Sequence, residues 1–155
     1  MINRFVIGFL VFAPFLTAAP VSAEVIGPDV VLAPEDVVLT QLRALQNNDE
    51  PEPDTGIKQT FALAHPDNQR MTGPLERFAM MIRSPAYSPL LDHRAHQIDM
   101  LEATDAYVRF KVVVETPAGK AYQYLWEVRP VKGGPDEGAW LTTNVSRPTE
   151  AGQSL

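Results

Sequence analysis

Cysteine is absent from the 155 residues. Its absence removes thiol catalysis, thiolate metal sites and redox function, and leaves an exported version of the chain without disulfides. Basic residues are also short: 13 lysines and arginines face 19 acids, for a formal charge of -6. No local basic stripe relieves that field, so nucleic acid is excluded as a partner. Gly133-Gly134 has no lysine-serine pair or helix after it, which rejects a phosphate loop, and no GxSxG elbow occurs. There is no internal repeat and no low-complexity tract. What remains is an ordinary globular balance, 45% hydrophobic and 21% charged, at a length that suits one domain.

Met1 to Ala23 reads as a secretory leader. Arg4 gives the positive start, Phe5 to Leu16 the apolar run, and Val21-Ser22-Ala23 the small residues of a cleavage site. Pro14 and Pro20 interrupt a stretch that otherwise nears the ~20 residues of a membrane span, so no stable insertion is expected once the leader is removed. The mature chain then begins at Glu24, in a periplasm or outside the cell. The expected layout is a leader over 1-23, an extended and weakly ordered lead-in over 24-33, a single domain over 34-146, and a flexible tail over 147-155.

Within the domain, helical spacing comes first. Pro34-Glu35-Asp36 opens a helix with Val38, Leu42 and Leu45 on one stripe. Asp54 is placed to cap a second, with Ile57, Phe61 and Ala64 buried and His65-Pro66 closing it. Thr72-Gly73-Pro74 starts a third, with Leu75, Phe78, Met81 and Ile82 inward. Beyond Arg94 the period falls to two. Four strands are expected: one with Ile98 and Met100 inward; one with Val108, Phe110, Val112 and Val114; one with Tyr122, Tyr124, Trp126 and Val128; and one over Ala139 to Val145. The prediction is an α+β fold, three N-terminal helices packed on a curved four-stranded antiparallel sheet.

Several segments, Gln41 to Asp49, Pro53-Asp54-Thr55-Gly56-Ile57, Thr72 to Phe78 and Leu90-Leu91-Asp92-His93-Arg94, resemble a bacterial and plant family known as domain of unknown function 4864. The resemblance runs over roughly Asp36 to Val145. It implies a cone-shaped fold of the nuclear-transport-factor-2-like kind, from which this sequence departs in that the usual early hairpin is short or missing. It implies no activity and no catalytic residues, and such cones host enzymes, carriers and interaction modules alike.

Candidate site residues follow from chemistry. His93 is a candidate general base, with Arg94 or Tyr87 stabilising developing negative charge. The competing role for His93 is a hydrogen bond to a loop carbonyl at the helix-to-strand corner. His93 and His96 have HxxH spacing, but strand parity turns residues three apart to opposite faces, and no third ligand is near; no metal and no cofactor are expected. Tyr124, Trp126 and His96 are candidate ligand contacts, although aromatic rows on strands are commonly core. The leading expectation is a non-catalytic exported domain that binds a small apolar ligand or an envelope protein. The alternative is a cone-fold lyase or isomerase using His93. A homodimer through the sheet is a further expectation.

Overall fold

The computed structural model describes residues 24–28 and 31–151. The leader read in residues 1–23 and the last four residues of the tail lie outside them. Among the described residues, four α-helices precede a five-stranded antiparallel sheet, so the α+β order holds while the counts rise by one each.

Helix α1 spans Pro34–Gln46, with Val38, Leu42 and Leu45 fully buried as their spacing requires. Helix α2 spans Thr55–Ala62. Asp54 does precede it, but in a left-handed conformation that points its carboxylate away from the helix, to Arg83 and Asn48. The capping falls to Asn48 instead: its Oδ1 accepts from the Ile57 amide at 3.0 Å and its carbonyl from the Gly56 amide at 2.9 Å. Gly56 is needed there because a Cβ would stand 2.1 Å from the Ala44 carbonyl oxygen of α1.

The unexpected helix is α3, Pro66–Thr72. Helix α2 stops at Ala62, short of the expected close at His65-Pro66, and Ala64 leaves it to bridge Thr142 of the sheet; Pro66 instead takes the first position of the next helix, which its fixed φ suits. His65 completes the start, its Nδ1 accepting from the Asp67 amide at 3.2 Å. No α3 residue is buried, so no apolar stripe announced it. Helix α4 spans Leu75–Ile82 and buries Phe78, Ala79 and Ile82; a 3₁₀ turn, Ser88–Leu90, leads to the sheet.

Strands β1 (Ala95–Ala103), β2 (Val108–Glu115), β3 (Ala121–Pro130) and β4 (Trp140–Val145) pair in sequence order. The inner rows expected of β2 and β3 hold, with Val108, Phe110, Val112, Val114, Tyr124, Trp126 and Val128 buried and Tyr122 only partly buried against the core. On β1 the row fails at Met100, which is exposed, because the strand is an edge and bulges between Met100 and Glu102. The tail is not wholly frayed. Thr149–Ala151 forms β5, pairing with Ala121, Tyr122 and Gln123 of β3, the half of that edge that β4 leaves open. Ser146 spans the gap, bonding Leu125 through both its amide and its hydroxyl.

The lead-in is also tied down. The Gln59 side-chain amide brackets Ile26, accepting from its N–H at 2.7 Å and donating to its carbonyl at 2.8 Å. The outer face of the sheet carries ion pairs around the exposed Leu125: Lys111 pairs with Asp99, and Glu127 with both Arg109 and Arg129. Among the described residues, no helix is long and apolar enough to cross a membrane.

Candidate functional site

A cavity of about 170 Å³ opens between the helices and the β3–β4 side of the sheet. Each helix contributes to it: Gln41 and Leu45 from α1, Thr60 from α2, Asn68 and Met71 from α3, and Phe78 and Ile82 from α4. Trp126 of β3 and Thr142 to Val145 of β4 close the sheet side, with Tyr87 and Leu90 between. Met71 and Asn144 are exposed and mark the rim.

A buried polar cluster lies in its wall. Gln41, 1% exposed, donates from Nε2 to the Thr60 carbonyl at 2.9 Å. Its Oε1 accepts from the Trp126 indole N–H at 3.2 Å and from the Thr142 hydroxyl at 2.6 Å. The indole also reaches Thr142 Oγ1 at 3.1 Å. These partners fix the amide, since a carbonyl only accepts and an indole only donates. Among the described residues no buried side-chain polar atom lacks a partner.

Of the expected catalytic group, only Tyr87 lines this cavity. Its hydroxyl donates to the Val145 carbonyl at 3.2 Å, and its ring stacks on Tyr124 with centroids 6.4 Å apart. Arg94 sits elsewhere, exposed and paired with Glu115 at 3.2 Å. His93 is 2% exposed at the corner before β1, where its Nδ1–H donates to the Leu90 carbonyl at 2.8 Å. That is the corner-holding bond weighed against catalysis. Its Nε2 accepts from His96 Nδ1 at 2.8 Å.

The two rings therefore meet, against the parity argument. His93 precedes the strand, and Asp92 before it has a left-handed φ of 51°, so strand alternation does not extend that far. Burial lowers the pKa of both histidines. His96 opposes protonation of His93 further, while the Leu90 bond and Asp92 favour it; Arg43 adds to the depression at His96. Both rings are held toward the neutral form, which keeps an acceptor available for their shared hydrogen bond.

Tyr124 and Trp126 are core residues, as aromatic rows on strands commonly are. Tyr124 is fully buried, and its hydroxyl donates to the Ala86 carbonyl at 3.1 Å. Burial pushes its phenol pKa well up, with Tyr122 and Tyr87 adding to the shift. Trp126 combines core and cavity roles. His96 joins the His93 pair and does not line the cavity. Among the described residues, no cluster of three or more histidines and acids could hold a metal ion.

Sequence reasoning missed Gln41, Thr60, Asn68 and Thr142. For Gln41 the signal was present: it interrupts the Val38, Leu42, Leu45 stripe with an amide, and a polar side chain on a buried face needs partners. Thr142 similarly sits two residues from Trp140 on β4.

No curated protein and no solved structure matches the chain. Residues 32–145 match the family described as Domain of unknown function (DUF4864), with its start and end close to those of the folded core. The chain belongs to that family.

Proposed function

We propose that this protein is a non-catalytic binding module for a small, uncharged, largely apolar molecule held in the cavity between the helices and β4. One observation carries the reading: among the described residues, the wall contains no acid, no histidine, no lysine and no arginine. Apolar walls with a few fixed polar groups are the ordinary make-up of a ligand pocket. The volume also fits, since an apolar cavity of ~150 Å³ accepts a benzene ring. On this reading the helices and sheet form a cone of the nuclear-transport-factor-2-like kind, and the leader makes it an exported module.

The lyase or isomerase alternative needs His93 to face the ligand. His93 instead has both ring nitrogens engaged, and it is not part of the cavity wall. An envelope-protein partner, or a second copy bound through the sheet, would meet an outer face crossed by ion pairs.

Native mass spectrometry of the protein purified from its host tests the proposal, together with thermal melts in benzene. A neutral molecule of about one ring per chain, or a benzene-dependent rise in Tm, supports it. A chain that carries only another protein, with a Tm indifferent to benzene, overturns it.

A further inference from the structure

One side of the cavity is built differently from the rest. Helices α1, α2 and α4 and strand β3 present Gln41, Thr60, Phe78 and Trp126 to it, all of them buried. Helix α3 presents Asn68, Met71 and Thr72, none of them buried, and among the described residues it is the one α-helix that buries nothing. Its backbone is isolated as well. Pro66 opens it and Pro74 follows it, and a proline has no N–H to carry helical bonding from one helix into the next. An element with little buried apolar contact and exposed hydrogen bonds belongs to the low-stability end of a fold, from which moving lids are drawn.

What holds α3 in place is polar. Gln69 Nε2 donates to the Phe61 carbonyl of α2 at 2.8 Å, and the His65 N–H, just before α3, donates to the Thr142 carbonyl of β4 at 2.8 Å. A further bond runs from Asn68 Nδ2 to that same Thr142 carbonyl at 3.2 Å. Its position matters. The exposed rim residues Met71 and Asn144 put the mouth of the cavity between α3 and β4, and the Asn68–Thr142 bond joins those two sides. A ring entering there has to part them, and this bond resists it. Thr142 also belongs to the inner wall, its hydroxyl donating to Gln41 Oε1 at 2.6 Å.

Resting on the binding reading above, we infer that α3 is the lid of the cavity, hinged at His65 and Gln69 and latched to β4 by Asn68. No side chain of α3 has to leave the core when the latch parts. The helix moves as a unit because its own bonds are internal: the Gln69 amide donates to the His65 carbonyl at 2.9 Å, and the Gly73 amide to the Gln69 carbonyl at 2.7 Å. A ligand inside touches Asn68, Met71 and Thr72 only while the lid is down, so filling the cavity favours the closed state.

Benzene is the probe, followed in the full chain by NMR lineshapes at the Trp126 indole N–H, which sits in the cavity wall. Asn68→Ala removes the latch. Loss of one neutral hydrogen bond should raise the open population, and with it the association rate, about fivefold. The association rate is decisive, because a side chain that only touched bound ligand would change dissociation alone. Amide exchange of the unaltered chain gives a second reading that needs no variant. The Gln69 and Gly73 amides should exchange several-fold more slowly with benzene bound. An association rate that Asn68→Ala leaves unchanged, or exchange at Gln69 and Gly73 that is indifferent to bound benzene, overturns the lid while the binding reading stands. If benzene leaves the Trp126 signal of the unaltered chain unmoved, the binding reading fails and the lid fails with it.

Discussion

Two polar clusters are buried in this fold, and they differ in one respect that matters. Gln41, Thr142 and Trp126 form a network in the cavity wall whose members stay neutral at any physiological pH. His93 and His96 form another, at the corner before β1, whose shared bond exists only while at least one ring can accept. The first keeps polar atoms satisfied beside space for a ligand. The second fastens the Leu90 carbonyl to the start of the sheet. A histidine is the usual suspect for function in a sequence, yet here the histidines do the fastening and an amide lies beside the cavity.

The largest expected effect calibrates the core on which both clusters rest. Phe110 is fully buried on β2, and Phe78 nearly so on α4, where it also lines the cavity. Each substitution to alanine should cost about 3 to 5 kcal/mol in denaturant melts. Losses below roughly 1 kcal/mol at either position would mean that the face is not packed as described.

Gln41→Leu comes next and probes the neutral cluster. It removes a donor from the Thr60 carbonyl and an acceptor from the Thr142 hydroxyl, while Trp126 keeps its bond to Thr142. The loss should be about 1 to 3 kcal/mol, and it should be the same at pH 5.5 and pH 7.5. A cost that changes with pH would break the distinction between the clusters.

His93→Ala should cost a similar 1 to 3 kcal/mol at pH 7.5, because the Leu90 carbonyl and His96 each lose a partner. Its pH dependence should differ from that of Gln41→Leu. Burial depresses the pKa of His65, His93 and His96, so the unfolded chain takes up protons before the folded one does. Native stability is therefore complete above the unfolded histidine value of about 6.5 and declines as the pH falls through the depressed folded values. His93→Ala removes part of that decline, so its cost should shrink in melts at pH 5.5. Benzene binding should survive the substitution. A variant as stable as the parent that no longer binds the probe would restore His93 to the site.

The sequence was legible where burial imposes a period and opaque where it does not. Val38, Leu42 and Leu45, and the alternating rows of β2 and β3, follow from one buried face per element. Helix α3 buries nothing, and β5 is three residues long, so neither leaves a periodic trace. Pairing along β3 recruits β5, and that is a tertiary fact. The site suffered the same way. His93 was visible as a residue type, but its engagement with Leu90 and His96 depends on the left-handed turn at Asp92. The cavity draws on four helices and two strands, so no local pattern encodes it.

The smallest expected effect is none at all, and it concerns metal. The HxxH spacing of His93 and His96 invites a zinc site, and the structure does bring the rings together, with centroids 5.0 Å apart. Their facing nitrogens, however, are 2.8 Å apart, a hydrogen-bond distance. Two nitrogens bound to one tetrahedral zinc at ~2.0–2.1 Å would stand roughly 3.3 Å apart, so ligation would have to prise the pair open. The other nitrogen of His93 is held by the Leu90 carbonyl, and pulling it free would expose an unpaired acceptor in the core. His96 alone has a ring nitrogen to offer, and one ligand does not make a site. Dialysis against a strong chelator should therefore leave Tm unchanged, and added zinc should not raise it. One zinc per chain by elemental analysis, with a fall in Tm on chelation, would show that the histidine pair opens to bind metal and is not the neutral fastener described here.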